Sequence, residues 1–272
     1  MKAELERIDA PAPIPDPVVP GQSAAQIMQS KSSTEQPRVL IAPDFEWNRQ
    51  DAYLFDIDGT LLRTWDGIHV DSFVASVQRI TGFEVTLQGI QMAGSTDTAI
   101  LREACRQAGI PAAQVEENID AILASMCASV AERRHEMRVV TMPGVEETLH
   151  HLAVRGALLG VATGNLEMIG WIKIEQAGLR EWFQFGGFSD RFPVRADLIA
   201  QAARKARELA GGEASVCVVG DTPRDIAAAR ANSLPTIAVA TGTVSFDELA
   251  AAHPEVCATS LADLLSFTRS KP

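Results

Sequence analysis

From residue 52 onward the chain alternates short runs of consecutive apolar residues with longer stretches whose apolar positions fall three and four apart. The runs lie at 52–55, 158–162, 216–219 and 236–239, with a weaker one at 182–185. Runs this short and this uniformly apolar suit strands that are covered on both faces. The helical stretches between them are long enough for right-handed crossovers, so the pattern predicts a doubly wound α/β fold around a parallel sheet, a Rossmann-like core.

One interval is too long for a simple crossover. Between Leu62 and Pro143 the helical spacing recurs at 72–80, 97–108 and 115–134, with turn signals at Gly82 and at Gly109-Ile110-Pro111 and no strand pattern. This predicts a helical cap domain at 65–140, inserted into a core made of 49–64 and 141–272. Upstream the composition changes: half of the 14 prolines fall between Pro11 and Pro43. Residues 1–48 read as an extended, unpacked, Pro-rich tail, a linker more readily than a docking segment. No internal repeat or heptad seam interrupts this organisation.

Charge narrows the function. A formal net charge of -11 and a pI near 4.9 oppose a nucleic-acid-binding surface. An acidic protein that handles a phosphorylated substrate needs local cation density, most simply a bound metal and a few basic side chains. Cys105, Cys127, Cys217 and Cys257 are far apart and lack zinc-ligand spacing, so they read as reduced thiols. No apolar run reaches the roughly 20 residues of a membrane span, and no basic segment followed by an apolar stretch opens the chain. The expectation is a cytoplasmic protein that binds neither membrane nor nucleic acid. Oligomeric state leaves no mark in the sequence.

Ligands of open α/β sheets bind beyond the carboxyl ends of the strands, and here those ends are acidic. One run finishes in Phe55-Asp56-Ile57-Asp58-Gly59-Thr60, another in Gly220-Asp221-Thr222-Pro223-Arg224-Asp225. Carboxylates gathered at one sheet edge repel one another unless a cation with oxygen ligands, such as Mg2+, relieves them. Asp56-Ile57-Asp58-Gly59-Thr60 resembles the first motif of the haloacid dehalogenase-like superfamily. Val161-Ala162-Thr163-Gly164-Asn165 resembles its second motif and Val219 to Asp225 its fourth, in the family's order. The layout is similar to the phosphoglycolate phosphatase and β-phosphoglucomutase branch, with its helical cap.

That resemblance implies a magnesium-dependent phosphatase of a small phosphorylated metabolite. Asp56 is then the nucleophile that takes the phosphoryl group, and Asp58 the acid and base for the leaving alcohol and the attacking water. The metal is expected on the Asp56 carboxylate, the Asp58 main-chain carbonyl and Asp221, with Asp225 either orienting the cluster or capping a helix. Thr163 and the Gly164 N–H are expected to bind phosphoryl oxygens. The family's lysine is replaced at the matching position by Arg195. Lys173, ten residues after Thr163, is the rival, but helical rise places it roughly 12 to 15 Å from the strand end, which favours Arg195.

In the insertion, the segment 93–97, including Thr96 and Asp97, and Arg102 could read the leaving group; the competing assignment, which is favoured, is that Thr96 or Ser95 caps the helix beginning near Asp97. The five histidines, His69 among them, read as structural or solvated. A phosphotransferase or mutase of the same fold would share these motifs. A non-catalytic binding protein would have no need of Asp56, Asp58 and Asp221. Asp58 also argues against dehalogenation, which needs no acid for its halide, and the absence of lysine between Asp51 and Arg155 removes the Schiff-base route to phosphonate cleavage.

Overall fold

A computed structural model describes residues 36–269. Its strands are β1 (Val39–Ile41), β2 (Ala52–Phe55), β3 (Leu62–Thr64), β4 (Val139–Thr141), β5 (Leu158–Ala162), β6 (Phe185–Gly187), β7 (Val216–Gly220), β8 (Thr236–Val239) and β9 (Val256–Ala258). Seven of them form one sheet in the order β1-β9-β8-β7-β2-β5-β6. Every pairing in it is parallel except β1 with β9. The doubly wound parallel core therefore follows the apolar pattern. β2, β7 and β8 are buried along their whole length, which is why their sequences are runs and not alternations.

The helices are α1 (Ile68–Thr81), α2 (Asp97–Gln107), α3 (Ala112–Glu132), α4 (Val145–Ala153), α5 (Glu167–Gln176), α6 (Arg195–Ala210), α7 (Pro223–Ala231), α8 (Phe246–Ala251) and α9 (Leu261–Arg269). α1 to α3 occupy the long interval and pack around Phe73, Val77, Leu101, Ile122 and Met126. Their apolar cluster also takes in Leu166, Ile169 and Ile172 from the start of α5. Each such buried side chain contributes roughly 1.5–3 kcal/mol, so α5 ties the insertion to the sheet.

Three elements differ from the sequence reading. The weak run at 182–185 forms a strand only from Phe185, because Arg180–Trp182 is a 3-10 turn. Gly186 and Gly187 hid the strand: the Phe188 ring lies against Gly186, and Phe185 in turn covers Gly160. The insertion is not purely helical at its margins, since β3 and β4 pair antiparallel as a two-stranded ribbon. Part of the stretch read as tail is built into the core: β1 pairs with β9, Trp47 is buried, and the Tyr53 hydroxyl donates to the Trp47 carbonyl at 2.7 Å. Residues 1–35 of that reading lie outside the described residues.

Candidate active site

Strand register brings the acidic ends together. Phe55 pairs with Val161 on one side and with Val219 on the other, so the chain leaves the sheet side by side at Asp56, Thr163 and Asp221. The Asp56 N–H still donates to the Val219 carbonyl (2.8 Å) and the Thr163 N–H to the Gly187 carbonyl (3.0 Å). The chain then turns sharply at Gly59, which has φ +89° and whose absent Cβ leaves room for the Asp221 carboxylate.

Asp56, Asp221 and Asp225 are buried, and one carboxylate oxygen of each lies within 4.8 Å of the others. Burial and then its carboxylate neighbours raise the pKa of Asp221 above the ordinary range. Asp56 is raised too, first by burial, with Arg195 opposing and Asp225 and Asp58 assisting. A buried group of oxygen donors whose ionisation is mutually resisted fits a hard divalent cation. Asp225 serves two ends at once. Its Oδ2 accepts from the Thr222 N–H (3.0 Å) and hydroxyl (2.7 Å), closing a capping box at the start of α7, while its Oδ1 accepts from Arg195 Nε at 2.8 Å.

Arg195, at the start of α6, is 8% exposed. Its Nη2 lies 2.7 Å from Asp56 Oδ1 and 2.5 Å from Asp225 Oδ1, yet it makes no aligned hydrogen bond. The nitrogen sits between the two carboxylates. Burial disfavours the guanidinium charge, but the two carboxylates outweigh it.

Lys173 corrects the sequence reading, which put it out of reach. Its Nζ donates to Asp58 Oδ1 (2.8 Å), Asp58 Oδ2 (2.7 Å) and Asn165 Oδ1 (2.8 Å). Counting rise from Thr163 assumed a helix starting there. The chain instead doubles back through Gly164, Asn165 and Leu166, and α5 starts at Glu167. Lys173 is then about 9 Å up the helix, with a side chain that points back toward the N-terminus. Burial raises the pKa of Asp58, but Lys173 and the Asn165 amide hold it below the ordinary value.

Thr163 faces a cavity of about 470 Å³, together with Asp56, Asp58, Gly164, Lys173 and Asp221. Its hydroxyl oxygen accepts from Asn165 Nδ2 at 2.7 Å. The Gly164 carbonyl accepts from the Asp97 N–H (2.7 Å), and the Asp97 carboxylate accepts from the Leu166 N–H (2.9 Å) and contacts His69 Nε2 (3.1 Å). Asp97 therefore lies at the cavity but is held by protein partners. Thr96 does not line it: its hydroxyl accepts from the Ala99 N–H as an N-cap and donates to the Pro193 carbonyl (2.7 Å). Arg102 is spent on Glu116 at the surface (2.7 Å).

Sequence reasoning missed His69, Asn165 and Arg224. His69 enters the cavity wall from the first turn of α1, and its neighbour Asp97 is 28 residues away, so no local signal connects them. Asn165 stood beside Thr163 in the second motif. Arg224, whose Nη2 donates to Gln91 Oε1 (3.0 Å) and whose Nη1 meets Ser95 Oγ, latches the insertion onto α7.

A family model described as haloacid dehalogenase-like hydrolase matches residues 53–239. The chain belongs to this family. Within it, the chain is 27% identical over 221 residues to the "Probable phosphatase IndB" of Dickeya dadantii, covering 78% of this chain and 90% of that one. It is 28% identical over 193 residues to the "Phosphoglycolate phosphatase" of Agrobacterium fabrum, covering 70% and 80%. In fold it resembles a crystal structure described as a predicted phosphoglycolate phosphatase from Haemophilus somnus, with a TM-score of 0.56 at 18% identity over 82% of this chain and 100% of the other. The haloacid dehalogenase-like match spans β2 to β8, and so contains every carboxylate of the cluster. No described helix is long and apolar enough to cross a membrane.

Proposed function

We propose that this hydrolase is a magnesium-dependent phosphatase of a small phosphorylated metabolite, working in the cytoplasm through a phosphoryl group carried on Asp56. The observation that carries the reading is the placement of Asp56: buried at a strand end, within reach of two further carboxylates and against the Arg195 guanidinium. The names of the curated relatives point the same way.

In this reading an Asp56 oxygen attacks phosphorus and the bond to the leaving oxygen breaks. The Arg195 guanidinium, beside Asp56, supplies positive charge to the phosphoryl oxygens, and Thr163 with the Gly164 N–H binds those on the other side. Asp58 gives a proton to the departing alcohol and later takes one from the water that frees Asp56. Asp56 and Asp221, steadied by Asp225, would hold Mg2+, which supplies positive charge where nucleophile and phosphate meet. The insertion covers the cavity and limits the water inside it.

Phosphate release from a panel of small phosphomonoesters, phosphoglycolate included, tests this with Mg2+ and with a chelator. Release that needs Mg2+ and falls to background in Asp56→Asn is expected. Equal release from Asp56→Asn would remove the aspartyl-phosphate step.

A further inference from the structure

The two buried cations at the site have different partners. Lys173 is 3% exposed in its side chain, and its ammonium group is turned to Asp58, whose two carboxylate oxygens share it, and to the Asn165 carbonyl oxygen. The Lys173 ion pair is with Asp58, whereas Arg195 takes Asp56 and Asp225. Asn165 completes a triangle: it accepts from Lys173, and its amide nitrogen donates to Asp58 Oδ2 at 2.8 Å and to the Thr163 hydroxyl at 2.7 Å. Ile172 and Ile174 on either side of Lys173 are buried in separate apolar clusters, so α5 holds the lysine at a fixed height above the sheet.

We infer that Lys173, with Asn165, is a positioning residue for Asp58 and not a second grip on the phosphoryl group. This rests on the phosphatase reading above. The clamp holds the Asp58 carboxylate apart from the Asp56, Asp221 and Asp225 group, toward which a bound cation would draw it. Its side chain is 43% exposed and lines the cavity, where a leaving alcohol or a water would stand. Held there, one carboxylate can serve both half reactions. Loosened, it fails both, while Asp56 keeps its own cation.

p-Nitrophenyl phosphate separates these roles. Its nitrophenolate departs as an anion, so forming the Asp56–phosphorus bond needs no proton from Asp58. Breaking that bond with water still needs Asp58 to take the water's proton. Lys173→Met is therefore expected to give a burst of nitrophenolate larger than that of wild type and approaching one per chain. A steady state lowered on the order of 10²-fold should follow. On an alkyl phosphate the same variant should fall at least as far without a burst. Asn165→Ala should repeat the pattern more weakly, and it decides the matter if Lys173→Met does not fold. A loss without a burst, shared by both substrates and accompanied by a raised KM, would make Lys173 a phosphate ligand and overturn the inference. Unchanged turnover would overturn it as well. Wild type inactive on both substrates would instead sink the phosphatase reading beneath it.

Discussion

Arg195 carries the balance of charge at the site. Truncating it would leave three buried carboxylates facing one another without a protein cation, and losing one partner of a buried ion pair costs about 3–5 kcal/mol. Arg195→Ala is expected to lose about that much in urea denaturation with chelator present, and less with Mg2+. The carboxylates also predict a pH dependence. Asp56 and Asp221 have folded-state pKa values above their unfolded ones, so the metal-free protein binds more protons than the unfolded chain between about pH 4 and about pH 8. Their contribution to stability is present below that window and is lost as pH rises through it. Bound Mg2+ favours the ionised forms. The shift in melting temperature produced by Mg2+ should therefore be larger at pH 8 than at pH 5.5, which thermal denaturation at the two pH values will show; a shift equal at both would mean that these carboxylates do not hold the ion.

Edge strand β1 and the loop after it make the start of the domain. Trp47 is 3% exposed and stacks on His151 with ring centroids 5.8 Å apart. Trp47→Ala is expected to destabilise the fold by about 3–5 kcal/mol, read from the shift in urea midpoint, whereas a true tail position would move it little. A strand of three residues between Pro37 and Pro43 has no readable period, and its support comes from β9, more than 200 positions away in the chain. The long central strands announce themselves because burial on both faces excludes polar residues. Asp56, Asp58, Thr163 and Asp221 were legible for a related reason: each ends or closely follows such a run. Lys173 and His69 were not, since each meets its carboxylate only in space, 115 and 28 positions away along the chain. Thr96 shows the reverse case, a hydroxyl named for the site whose favoured alternative, starting a helix, is the role it takes.

Across the whole molecule, the sheet and the insertion meet through α5, the Asp97 contacts and the Arg224 latch. Arg224 is a solvent-facing partner in this set, and such contacts contribute up to about 1 kcal/mol. Arg224→Ala is expected to leave the melting temperature nearly unchanged while raising KM by about fivefold, the equivalent of that energy; steady-state kinetics on a single phosphomonoester would show it, and an unaltered KM would mean that closure does not depend on the latch. The strand order has a consequence during synthesis on the ribosome. β2 emerges early, but its neighbours begin only at Leu158 and Val216. Growing at about 5–20 residues per second, the nascent chain must carry the bare nucleophile strand for several seconds. The helices of the insertion, translated in that interval, can gather around their own apolar cluster first. Only when the strand bearing Asp221 has left the exit tunnel can the sheet close around Asp56, so a chain stalled before that point carries no assembled site.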